Sequence, residues 1–264
     1  MRRTLLWCVL FLTALAAGQG CGPNPEPDLA ATLFGAARTA WLAGDYPKAE
    51  QDYQRYLRDF PKAPERLEAW RRLADIARDV RGNPGEAASV LESALLEFEK
   101  NRAVRDDLAA AAGEAWLQAK QPARAAEHLR TLLAGGSLPP ERRVRISLQL
   151  AQSLTMLEDV SGAETALRLC HQAGPTAAIA APCSLRLAAV LLEQNKPEAA
   201  RSLWKAVYEN GTIDASFRAT AGFALGEEAE TRHDRKAAQT WYEAVREIYP
   251  NPAVIEKKLE YLRH

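Results

Sequence analysis

Beyond its first seventeen residues the sequence has no apolar run long enough to cross a membrane as a helix, which takes about 20 apolar residues. It has no basic run either. The 34 Lys and Arg are matched by 34 Asp and Glu, which argues against a nucleic-acid partner. The four histidines, His128, His171, His233 and His264, form no i, i+4 pair and no His-Glu-x-x-His, so no zinc site is marked. Cys-x-x-Cys is absent, which removes the zinc ribbon and the thioredoxin-like redox site. A Gly-x-Ser-x-Gly elbow and a glycine-rich phosphate loop are also missing. Long β-branched stretches are lacking and aromatics make up only 7%, while Ala and Leu, which lose least on entering a helix, are abundant. These absences lead to the expectation of an all-α protein, not an enzyme, with no cofactor and no metal.

The N-terminus carries targeting information. Arg2 and Arg3 precede an apolar segment over 5–17 that is too short for a bilayer of ~30 Å, so 1–20 reads as a signal peptide. Gly18-Gln19-Gly20-Cys21 resembles the lipobox of bacterial lipoproteins, except that Gly18 stands where that family prefers Leu. The resemblance implies acylation of Cys21 and an outer-membrane protein facing the periplasm. Gly18 and Gly20 also suit ordinary signal peptidase, and a soluble periplasmic or secreted protein is the alternative. Prolines at 23, 25 and 27 predict an extended, non-helical tether over 21–28. Cys8 leaves with the signal, so the folded part keeps Cys170 and Cys183, a pair that an oxidising compartment would join. Cys183 follows Pro182, which predicts the first turn of a new helix there.

A repeat organises the rest. Helix-breaking segments such as Gly44-Asp45-Tyr46-Pro47, Gly82-Asn83-Pro84-Gly85 and Lys120-Gln121-Pro122 each end in an alanine, at 49, 87, 125, 163, 200 and 238. Those alanines are 38, 38, 38, 37 and 38 residues apart. Four residues after them stand Tyr53, Leu91, Leu129, Leu167, Trp204 and Tyr242, and three further on Tyr56, Ala94, Leu132, Cys170, Val207 and Val245. These offsets run one apolar stripe along the second helix of every unit. Twelve residues before the alanine stands Ala37, Gly113, Ala151, Ala188 or Gly226, small enough for close helix packing. In the second unit the frame slips by one residue (Trp70, Leu73, Ala74, Ala77), which predicts a longer turn there.

Gly44-Asp45-Tyr46, Ala49, Tyr53 and Pro61 resemble the tetratricopeptide signature, as do Leu225-Gly226, Ala229, Ala238, Tyr242 and Pro250. The resemblance implies a right-handed superhelical solenoid of about six helix pairs over 29–250, closed by a capping helix over 251–264. The family's period is about 34, so some four residues per unit are extra. They are expected between units, near Pro64, Pro139-Pro140 and Gly174-Pro175. The resemblance also implies that first helices line a groove for a protein or peptide partner. Groove candidates are Phe34, Arg38, Trp41, Arg71, Asp75, Arg78, Glu114, Gln149, Gln152, Met156, Arg186, Phe223, Glu227 and Glu230, basic and aromatic at one end and acidic at the other. The Lys and Asn clamp of chaperone-docking members is not matched at Phe34 and Arg38. The run 53–61 is similar to helix ends in the β-barrel assembly machine lipoprotein and the Tol–Pal coordinator, and the lipid anchor with six units to type IV pilus pilotins. The implied function is a non-catalytic scaffold for envelope assembly; the alternative is a regulatory or catalytic component of peptidoglycan metabolism.

Overall fold

The computed structural model describes residues 25–135 and 138–263. The expected signal segment and Cys21 lie outside the described residues. Among the described residues the regular structure is helical, and it divides into two units at Arg66/Leu67. The first unit holds one pair, α1 (Pro25–Leu42) and α2 (Tyr46–Asp59). In the second, α3 (Arg66–Asp75) continues into a π-helical turn (Ile76–Val80) and pairs with α4 (Pro84–Glu97). Four more pairs follow: α5 (Arg102–Gln118) with α6 (Pro122–Ala134), α7 (Pro140–Met156) with α8 (Val160–Ala173), α9 (Ala177–Glu193) with α10 (Pro197–Glu209), and α11 (Ala215–Thr231) with α12 (Arg235–Val245). The last helix is α13 (Pro252–Arg263). Six tetratricopeptide-like pairs and a terminal helix are the expected architecture. One boundary differs: α1 starts at Pro25, so Pro25 to Asp28 are helical and not an extended tether. Proline is admissible there because the first-turn N–H groups have no acceptor in the helix.

Each pair turns in the same way. The residue before the second helix's N-cap has positive φ: Gly44 and Gly82, then Lys120, Glu158, Asn195 and His233, the last four at 57° to 61°. The next N–H reaches five residues back to close the first helix, as Gln121 to Trp116 O at 2.8 Å and Asp234 to Ala229 O at 2.9 Å. Asp45, Asn83, Asp159 and Asp234 then cap the second helices through their side chains. In the second pair the equivalent N–H, that of Asn83, reaches six residues back, to Ala77 O at 2.8 Å. The frame slip seen in the sequence is thus taken up inside the helix. The turn is no longer than elsewhere; one inserted residue converts the last turn from α to π hydrogen bonding.

The four extra residues per unit are likewise not in the turns. α5, α7, α9 and α11 are each 17 residues long and start eleven residues ahead of Gly113, Ala151, Ala188 and Gly226. The surplus is one additional N-terminal turn on each first helix, at 102–105, 140–143, 177–180 and 215–218. Arginines in these turns and in the start of α3 close the C-termini of second helices. Arg102 donates to Gly135 O after α6, Arg218 to Tyr208 O at 2.9 Å in α10, and Arg66 to Phe60 O at 3.0 Å after α2. A guanidinium there satisfies carbonyls that have no partner in the helix and complements its dipole.

The small residues sit where paired helices cross. Ala37, Ala74, Gly113, Ala151, Ala188 and Gly226 are all buried. In the last pair, a Cβ added to Gly226 would lie 2.5 Å from Cε1 of the fully buried Tyr242. The striped residues of the second helices, Leu91, Leu129, Leu167 and Trp204, join one continuous core through the second unit. Burying such side chains at about 25 cal/mol per Å² supplies most of the stability of a stack whose units contact only their neighbours.

Polar clusters lock adjacent helices. Glu92 of α4 accepts from Trp116 Nε1 at 2.8 Å, from Arg124 at 2.7 Å and from His128 Nε2 at 2.8 Å, while the Arg124 guanidinium lies 3.6 Å from the Trp116 ring centroid. Burial pushes the Glu92 carboxyl up, but the hydrogen bonds from His128 and Trp116 and the Arg124 charge outweigh it and hold it below its usual 4.5. A depressed folded-state value gives stability that is present above the unfolded value and lost as pH falls through the folded one. Denaturant midpoints measured between pH 7 and pH 3 should therefore fall on acidification, and fall less in Glu92→Gln. Equal slopes in the two proteins would contradict the assignment.

Candidate protein-binding face

Within the second unit, first helices touch one another along the chain, α5 with α7, α7 with α9, and α9 with α11. Each second helix packs chiefly on the first helices before and after it. The unit therefore has a first-helix layer and a second-helix layer, and the free side of the first layer is the face on which the sequence placed its groove.

That face is narrower than expected. In the first unit Phe34 is buried, 5.9 Å from the Tyr53 ring and 5.1 Å from the Tyr56 ring, so it belongs to the core and not to a groove. Trp41 is half-buried with its ring 5.3 Å from Tyr46, and Arg38 is exposed. At the start of the second unit Arg71 lies 3.8 Å from Asp107, which also holds Arg142 at 2.6 Å, so one carboxylate links α3, α5 and α7. Asp75 pairs with Arg78 at 3.0 Å, and Arg78 with Asp79 at 2.8 Å. Asp79 and the flanking Asp75 push the Arg78 guanidinium further above its usual range. At the other end Phe223 is half-buried, stacked 4.7 Å from Tyr249 and 5.5 Å from Tyr242. Lys258 of α13 lies 2.7 Å from Glu230 and 3.5 Å from Glu227. One of the two charges of the expected acidic end is thus offset by Lys258 of the terminal helix, and the basic candidates Arg71 and Arg78 are paired with nearby carboxylates. Periodicity cannot see such pairs, because they depend on side-chain reach across helices.

The middle remains open. Glu114, Gln152, Met156 and Arg186 are exposed and Gln149 is half-buried. Gln152 of α7 and Arg186 of α9 line one small cleft of about 50 Å³ with Thr155, Ala189 and Glu193. Half-buried Leu148 and Leu185 lie on the same helices and were not among the candidates. Their signal was available: each stands three residues before the small residue, the offset at which Phe34 and Phe223 were named. This central strip combines exposed amide, guanidinium and carboxylate groups with apolar methylenes, the chemistry that holds a peptide main chain and an adjacent side chain.

Groups that could carry covalent chemistry are placed otherwise. His171 Nδ1 lies 2.8 Å from Ser184 Oγ, but the Ser184 hydroxyl donates to Ala180 O at 3.0 Å and is buried. Its proton serves the helix rather than a base. Among the described residues no group of three or more His, Cys, Asp or Glu is placed to hold a metal ion, and no helix is long and apolar enough to cross a membrane. Cys170 of α8 and Cys183 of α9 form a disulfide with Cα atoms 5.9 Å apart. Pro182, expected to open a helix, lies inside α9 instead. The Ala-rich segment 177–181 is strongly helix-forming, and Thr176 caps it by accepting from Ile179 N at 3.3 Å, so the helix starts before the proline.

Two family models match the sequence, a tetratricopeptide repeat-like domain over residues 141–264 and a tetratricopeptide repeat over residues 34–107. No curated protein matches. Among solved structures, the C-terminal part of a TPR repeat-containing protein from Cytophaga hutchinsonii is similar with a TM-score of 0.65 at 13% identity, over 87% of each chain. PilF of Pseudomonas aeruginosa gives a TM-score of 0.53 at 15% identity, over 90% of this chain and 98% of that one. BtubC from P. vanneervenii gives 0.57 at 18% identity, over 86% and 94%. Such identities establish the fold alone. With the repeat frame, the helix pairs and both family models in agreement, the chain belongs to the tetratricopeptide-repeat proteins.

Proposed function

We propose that this protein is a non-catalytic scaffold, lipid-anchored through Cys21 to the outer membrane and facing the periplasm, that holds a segment of an envelope protein across α5, α7 and α9. Tetratricopeptide repeats are interaction modules, and what favours this strip is that Glu114, Gln152 and Arg186 are exposed while Arg71, Arg78, Glu227 and Glu230 of the same unit are paired within the chain. The sequence around Cys21 supports the anchor. The partner segment carries a carboxylate for Arg186 and a side chain that covers Leu148 and Leu185. A photo-crosslinking residue placed at Gln152 in the native cell should capture one partner, and the same residue at Ser202, exposed on α10, should not. Arg186→Glu should cut the Gln152 adduct by about tenfold, as reversal of an interface charge does. Equal adducts at both positions would end this reading. In the same cells Cys21→Ser should leave the membrane fraction, and a native mass equal to an unacylated chain would refute the anchor.

A further inference from the structure

A second cleft, on the opposite layer, has a different chemistry. It opens between α6 and α8 above α7, with a volume of about 380 Å³. Leu133 of α6, Leu150 of α7, and Ala166 and Leu169 of α8 supply apolar walls. Leu150 and Ala166 are buried, whereas Leu169 keeps 62% of its surface exposed, so the cleft runs from a closed floor to an open mouth. Arg130 of α6 and Arg143 of α7 also line it, and no acidic side chain does. Arg130 is exposed, and no carboxylate lies within ion-pairing distance of it among the described residues. The scaffold reading leaves this cleft unused.

We propose that it binds an aliphatic carboxylate, a medium-chain fatty acid whose tail lies against Leu133, Leu150 and Ala166 and whose carboxylate meets Arg130. The volume is at the low end of small-ligand pockets, which span roughly 300–1,000 Å³, and suits one chain rather than a fused ring system. The walls give apolar contact, the Arg130 guanidinium gives a site for one negative charge, and planar bidentate pairing is what Arg offers a carboxylate.

Decanoate, titrated into the protein below its micelle-forming concentration and followed by calorimetry, should show saturable one-to-one binding. Octanoate should bind about fifteenfold more weakly, since two methylenes fewer are buried. Decanol should bind about tenfold more weakly than decanoate, having lost the charge-assisted contact. Arg130→Gln should cost decanoate about fivefold, the upper range for an exposed ion pair, and leave decanol unchanged. Ala166→Leu, which fills the floor, should abolish binding of both. Non-saturable uptake, equal affinity for octanoate and decanoate, or equal affinity for decanol and decanoate would each overturn the proposal. If Ala166→Leu does not fold, as read by its circular dichroism, the chain-length series and Arg130→Gln decide alone.

Discussion

Gly226→Leu should destabilise the protein by about 3 kcal/mol, the upper part of the range for overpacking a filled core. A Cβ at this position would already lie 2.5 Å from Tyr242 Cε1, 2.8 Å from Cζ and 2.9 Å from Cδ1, so the whole edge of the ring is in the way. The ring cannot swing aside. Tyr242 is fully buried, with Phe223 5.5 Å away and Ile255 and Leu259 of α13 in the same cluster. The better helix propensity of leucine offsets only about 1 kcal/mol of that cost. Gly35 provides the contrast, being exposed in α1 with nothing within 4 Å of its added Cβ. Gly35→Ala should stabilise by up to about 1 kcal/mol for the same propensity reason. Urea unfolding of both variants is the measurement. A midpoint unmoved by Gly226→Leu would show that the last pair does not cross where the structure puts it.

Loss of the Cys170–Cys183 bridge should have a similar effect by another route. The cysteines are 13 residues apart, and closing a loop of that size removes denatured-chain entropy worth about 3 kcal/mol. The bridge ties the end of α8 to α9 across the turn at Gly174, beside the buried Val144. Both cysteines are buried, so the folded protein should be slow to yield the bridge to reductant, and once reduced it should open first around α8 and α9. At roughly 2–4 °C per kcal/mol for a chain of this size, reduction should lower the melting midpoint by about 6–12 °C. Cys170→Ala/Cys183→Ala should melt with the reduced wild type and ignore reductant. Free alkylation of both thiols in protein taken from the native envelope would exclude the bridge there.

The helix pairs were legible because burial imposes a period. Tyr53, Leu91, Leu129, Leu167, Trp204 and Tyr242 repeat at one spacing since each must face the same layer, and every one is buried. The start of α9 was not legible, because proline at the sixth helical position costs less than ending the Ala-rich segment 177–181 would. Phe34 misled for a related reason. Its offset in the unit is that of a groove residue, but two tyrosines of α2 cover it. The polarity of the expected groove failed at Glu227 and Glu230, whose fate is set by Lys258 of α13, some thirty residues away in sequence and adjacent in space.

The π-helical turn bears on how relatives of this chain should be aligned. An α-helix advances about 100° per residue, so an alignment run without a gap from Ala87 back through α3 would rotate the whole of α3 by that angle on paper. Half-buried Asp75 would then be equated with Gly113, Ala151 and Gly226, and Ala74 with Ala112, Leu150 and Leu225. A single gap column placed within Ile76–Val80 restores Ala74 to the small-residue column and keeps Arg71 level with Leu148, Leu185 and Phe223. For this chain the insertion lies inside a helix, and a substitution table built without that gap would assign the wrong face to the ten residues of α3.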